Sequence, residues 1–147
     1  MIISVLVALN LFAEAKYIFY FIGDGMGMGH VATAETYNHD YLKSTELLLM
    51  MQFPYAGQVR TYSANDRITD SAAAGTALAT GHKTNNGMIG MNADTVAVMS
   101  IAKILKSNGF AVGVASTVAG DDATPAAFYA CSPSRHNKYE IAQQAFT

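Results

Sequence analysis

Charged residues are sparse in this sequence, at 14% of 147 positions with a net charge of −2. The few Lys and Arg are scattered, so no basic stripe or patch exists to follow a phosphate backbone, and nucleic acid is excluded as a partner. A single cysteine, Cys131, excludes a disulfide within these 147 residues. No apolar run reaches the ~20 residues needed for a stable membrane span. The longest, "MIISVLVALNLFAEA" (1–15), is closed by Ala13-Glu14-Ala15, an A-x-A cleavage pattern. Although no Lys or Arg precedes it, this segment reads as a signal peptide, which would make the protein exported, periplasmic or extracellular. Internal repeats, low-complexity tracts and interdomain linkers are also lacking, so residues 16–147 read as one unit.

What is abundant is apolar side chain, 51% of the sequence. "KYIFYFIG" (16–23) and "FAVGVAST" (110–117) are continuous apolar runs of the kind that fill strands buried on both faces. "AGQVRTYS" (56–63) alternates as a strand would. Helices are expected over 30–41, over 71–81 with Gly81 as the stop, over 95–109 with Gly109 as the stop, and over 137–146. Buried strands alternating with helices predict an α/β fold, with a parallel-rich central sheet and helices on both faces. Ligands of such sheets bind beyond the carboxyl ends of the strands. Asp24 follows the first run, and Asp121, Asp122 and Thr124 follow the run ending at Thr117. The last helix is still under way at the final residue, which suggests a truncated sequence.

Three stretches could carry chemistry. "GDGMGMG" (23–29) fails the dinucleotide fingerprint, because Met28 and His30 stand where a third glycine is required. Asp24 among glycines is either a ligand for hard or borderline cations or a helix cap. "TDSAAAGT" (69–76) puts Ser71 at the start of a small-residue helix, where the macrodipole favours an anion such as an alkoxide or a phosphoserine. It lacks the G-x-S-x-G elbow, and the one histidine nearby in sequence, His82, lies beyond the helix. A metal is therefore the more plausible activator, and a plain Ser or Asp cap is the alternative. "GDDATPAAFYACSPSR" (120–135) adds two carboxylates, a threonine hydroxyl suited to Mg²⁺, and Arg135, whose planar fork matches two oxygens of a phosphate or sulfate. An Asx-turn before Pro125 and a surface arginine are the alternatives there.

Together and in this order, "IGDGMG", "TDSAAAGTALATGHKTNNGMIG" and "DATPAAFYA…SR" closely resemble the N-terminal part of alkaline phosphatases, from about Tyr17 onward. The resemblance implies a phosphomonoesterase with two Zn²⁺ and one Mg²⁺, acting on phosphate monoesters and commonly homodimeric. Residue by residue, it implies that Asp24 binds one zinc and the magnesium. Ser71 becomes the transiently phosphorylated nucleophile, and Asp70 orients Arg135, which binds the phosphate oxygens. Thr124 becomes a magnesium ligand, and Asp122 lies near that metal, where an aspartate suits magnesium through its waters.

"CSPSR" (131–135) also matches the Cys-x-Pro-x-Arg at which sulfatases generate formylglycine. A sulfatase using Cys131 is the rival enzyme reading, and a non-catalytic, truncated phosphate-binding chain is a third. "HNKYE" follows instead of the usual apolar stretch and Thr-Gly, and the Ser71 helix is complete upstream. Ser71 is therefore read as the nucleophile. The family's further Asp, His and Glu ligands match nothing here. His30, His39, His82 and His136 are expected at the surface, and the 147 residues alone are expected to be inactive.

Overall fold

In the computed structural model, residues 16–146 are described. The expected signal peptide over 1–15 lies outside the described residues. Among the described residues five α-helices form: α1 (Met28–Thr36), α2 (Ser71–Thr80), α3 (Ile101–Ser107), α4 (Ala123–Ala126) and α5 (Lys138–Gln143). A π-helical turn, Tyr37–Tyr41, extends α1, and 3₁₀ turns occupy Leu49–Gln52 and Gln144–Phe146.

The core is built from small residues because α2 and α4 approach closely. Ala72 and Ala79 of α2 are buried together with Ala123, Ala126, Ala127, Ala130, Ile89 and Ile141, and Phe128 and Tyr129 pack against them. Gly75 sits at the crossing: a Cβ there would lie 3.3 Å from both Thr124 Cα and Ala127 Cβ. The alanine-rich pattern thus serves helix–helix contact as well as helix propensity.

Helix α2 starts and stops for local reasons. Asp70 is its N-cap, accepting from the Ala73 N–H at 2.9 Å, and Gly81 closes it at φ +76°. Helix α3 is shorter than the expected 95–109. Asn92 Oδ1 accepts from the Asp94 and Val96 N–H groups at 3.0 and 2.9 Å, and an antiparallel bridge joins Met91 to Ala97. These contacts consume the backbone groups a helical turn would use, and Thr95 stands at φ +63°. Ser100 then caps α3 through the Lys103 N–H.

The expected central sheet is the main difference. Among the described residues there is no strand, only the isolated bridges Ile89–Ser132 and Met91–Ala97. The runs over 16–23, 56–63 and 110–117 carry no ladder. Tyr17, Phe19 and Phe21 of the first are about four-fifths exposed (81%, 78% and 86%). A continuous apolar pattern specifies the environment a strand requires, but a ladder also needs a neighbour in register, and none is paired with these runs. Tyr20 is one tie to the core, meeting Phe128 edge-on with ring centroids 6.0 Å apart.

Candidate active site

The crossing of α2 and α4 brings their N-terminal residues side by side. From α2 come Asp70 and Ser71, and from α4 come its N-cap Asp122 and, two residues on, Thr124. Asp24 reaches this pair from a turn closed by the Met26 N–H on the Gly23 carbonyl at 3.1 Å. Gly25, third in that turn, stands at φ +69°, where a side chain would be strained.

The carboxylate of Asp24 ties the first group together. Thr124 Oγ1 donates to its Oδ2 at 2.8 Å, and Ser71 Oγ donates to its Oδ1 at a long 3.3 Å. Asp24 is exposed and has no cationic partner among the described residues. Its donors are oxygens alone. A carboxylate flanked by two hydroxyls is a hard donor set, and it fits a divalent cation that prefers oxygen, such as Mg²⁺.

A second group is held by charge. Arg135 Nη1 donates to Asp70 Oδ2 at 3.2 Å, and Nη2 lies 3.5 Å from Asp122 Oδ1. Asp70 accepts in addition from the Gly87 N–H at 3.0 Å, while the Arg135 N–H donates to the Gly87 carbonyl at 2.7 Å. Asn86 braces this loop: its Oδ1 accepts from the Asp70 N–H and its Nδ2 donates to the Ile68 carbonyl. Lys138 donates to Asp122 Oδ1 at 3.1 Å. The Lys138 hydrogen bond and the Ala123 N–H hold the Asp122 carboxyl below its ordinary range, and the charges of Lys138 and Arg135 act in the same direction.

The structure therefore brings all six expected residues to one crossing, in two adjoining groups: Asp24, Ser71 and Thr124 in one, Asp70, Arg135 and Asp122 in the other. Among the described residues no three His, Cys, Asp or Glu side chains gather at one point. All four histidines are exposed. Asn86 and Lys138 escaped the sequence reading. Asn86 lies within the family-like stretch 69–90 but was given no role there, while Lys138 left a trace, because a lysine in the first turn of a helix opposes the macrodipole unless something else holds it.

Cys131 stands outside both groups. Its thiol donates to the Gly90 carbonyl at 2.7 Å, and the Gln144 amide holds its backbone N–H and C=O at 2.8 and 3.0 Å. Gly90 is at φ +61°, and a Cβ on it would meet the Ala130 carbonyl oxygen at 2.2 Å, so this corner is closely packed.

The profile of the alkaline phosphatase family matches residues 15–147. The chain belongs to the alkaline phosphatase family. It is 36% identical over 128 residues to alkaline phosphatase 4 of Drosophila melanogaster, covering 80% of this chain and 22% of that protein. It is 38% identical over 130 residues to the Escherichia coli K12 alkaline phosphatase, covering 82% and 26%. Among solved structures, a mutant alkaline phosphatase from the Antarctic bacterium TAB5 with Mg bound in its M3 site superimposes with a TM-score of 0.72 at 36% identity, over 83% of this chain and 34% of that one. The fold is thus alkaline-phosphatase-like, and the chain spans between about a fifth and a third of the length of these relatives.

Proposed function

We propose that this alkaline phosphatase chain contributes the nucleophile and the phosphate-binding arginine to a metal-dependent phosphomonoester hydrolase. The observation that carries the reading is the convergence of Ser71 and Thr124 on Asp24, a carboxylate with no cationic partner among the described residues, beside an arginine already oriented by Asp70. Asp24 and Thr124 would hold a divalent cation, with Asp122 near it. Two Zn²⁺ and one Mg²⁺ are the metals the family resemblance implies, and a TAB5 relative is described with Mg bound. When bound, such ions acidify the serine hydroxyl and offset charge on the phosphoryl oxygens.

The residues divide the remaining work. Arg135, fixed by Asp70, takes two phosphoryl oxygens and sets phosphorus in line with Ser71. Ser71 gives its hydroxyl proton to solvent water, the Oγ–P bond forms as the ester P–O bond breaks, and the departing alkoxide takes a proton from solvent in turn. The resulting phosphoserine lies at the N-terminus of α2, where backbone N–H groups and the macrodipole favour its charge. Water then attacks phosphorus, the P–Oγ bond breaks, and inorganic phosphate leaves with Ser71 restored.

The same family likeness supports an exported homodimer acting on phosphate monoesters. Among the described residues no helix is long and apolar enough to cross a membrane. It also supports pairing of 16–23, 56–63 and 110–117 in a parallel-rich sheet, which would put Asp24 and Asp121–Asp122 beyond strand ends. Amide exchange slowed across those three runs in the protein that carries this chain would bear the sheet out, and free exchange would rule it out.

The protein carrying this chain, given Zn²⁺, Mg²⁺ and p-nitrophenyl phosphate at alkaline pH, is expected to release p-nitrophenol. Acid quenching should leave phosphate on the peptide containing Ser71, and S71A should abolish that label and lower turnover at least ~10³-fold. Steady turnover with Ser71 never labelled would falsify the proposal.

A further inference from the structure

One oxygen of Asp122 serves two cations on different elements. Oδ1 lies 3.1 Å from Lys138 Nζ, in the first turn of α5, and 3.5 Å from Arg135 Nη2. Lys138 Nζ also donates to the Asp121 carbonyl at 3.3 Å, so its position over Asp122 is fixed at two points. The Arg135–Asp122 contact is the weak member, longer than a good charge-assisted hydrogen bond. Arg135 is held more closely elsewhere, by its backbone N–H on the Gly87 carbonyl at 2.7 Å and by Nη1 on Asp70 at 3.2 Å. Its guanidinium is thus anchored on one edge and loosely engaged on the other.

We propose that Lys138 is a positioning residue for phosphate binding: by occupying Asp122 it keeps the Nη2 edge of Arg135 available to the phosphoryl oxygens. Two effects act together. Asp122 without Lys138 would face Arg135 alone and draw Nη2 into a full ion pair, so that Asp70 and Asp122 would clamp both edges of the guanidinium. The cluster, in which two cations now face two carboxylates, would also become net negative, and an anion approaching Arg135 would be repelled. Both changes weaken phosphate binding without touching the serine that reacts.

The inference rests on the phosphatase reading, and the test separates the two. In the protein carrying this chain, the dissociation constant for inorganic phosphate is measured by calorimetry for wild type, K138M and K138R, beside KM and kcat for p-nitrophenyl phosphate. K138M is expected to weaken phosphate binding and raise KM about tenfold, with a much smaller change in kcat, while K138R stays within about threefold of wild type. Both variants keep a long aliphatic stem on an exposed helix face, so a loss confined to K138M reports charge rather than folding. Phosphate binding by K138M as tight as wild type, or K138R as weak as K138M, would overturn the role of Lys138 while leaving the phosphatase reading intact. A wild-type protein that neither binds phosphate nor turns over the ester would overturn both.

Discussion

Thr124 Oγ1 donates to Asp24 Oδ2 at 2.8 Å, although 100 positions of sequence separate the two residues. The contact exists because α2 and α4 cross at a glycine. With Gly75 against Thr124 Cα, the N-terminus of α4 settles beside that of α2, and the Asp24 turn closes over both.

Replacing the Thr124 hydroxyl should therefore act on metal affinity first. T124V is expected to weaken Mg²⁺ binding by at least ~10-fold, in the range that loss of a supporting ligand interaction produces, and T124S to retain it. Activity titrated against Mg²⁺, with bound metal counted by mass spectrometry, distinguishes these outcomes. Equal Mg²⁺ affinity in T124V and wild type would remove Thr124 from the site.

The helix crossing can be probed without altering any polar group. A valine at position 75 would press its Cβ and methyls on the Thr124 backbone, which cannot rotate away. G75V should cost about 2 kcal/mol through overpacking and should also disturb Thr124, so stability in urea and Mg²⁺ affinity fall together. Loss of stability with an unchanged metal site would show that the crossing and the site are uncoupled.

Asp122 gives a pH signature. Its carboxyl is held below the ordinary range, first by the Lys138 hydrogen bond and then by the Ala123 N–H. The folded state thus binds this proton less readily than the unfolded chain. The associated stability is complete above the unfolded carboxylate pKa, about 4, and is lost as pH falls through the lower folded value. D122N lacks this component, so its urea midpoint should fall less steeply than that of wild type as pH drops below about 4. Parallel acid profiles would show that the carboxylate is not stabilised in the fold.

Cys131 separates phosphate from sulfate chemistry. Its thiol donates to the Gly90 carbonyl in a packed corner, not to Asp24 or Arg135. C131S keeps a donor for Gly90 and should retain phosphatase turnover within about twofold, at a stability cost of about 1 kcal/mol. Peptide mass analysis of wild type should find an unmodified thiol. A formylglycine at 131, with activity lost in C131S, would restore the sulfatase reading.

The parts of the site that were legible in advance are those written locally. Asp70, Ser71 and Gly81 announce the cap, the N-terminal hydroxyl and the stop of α2 within a dozen residues, because capping depends on side chains adjacent to the helix end. Arg135 could be named from its fork, but its pairing with Asp70, 65 positions away, was implied only by the family resemblance. Asn86 and Lys138 act through contacts 16 to 18 positions away, Asn86 on Asp70 and Ile68 and Lys138 on Asp122 and Asp121, and neither sits in a motif of its own. The start of α3 went astray for a related reason. Asn92 organises the turn that displaces it, and side-chain competition for backbone groups is invisible to an apolar period.

By itself, then, the sequence determined the ends of α2, the residue types of the site and the family, because capping chemistry and contiguous motifs depend on neighbours along the chain. The tertiary structure decided the partners that no motif named: Asp24 with two hydroxyls, and Asp122 with Lys138. It also decided that the apolar runs over 16–23, 56–63 and 110–117 are unpaired here. Pairing of charges and of strands depends on distance in space, which residue spacing along a chain does not encode.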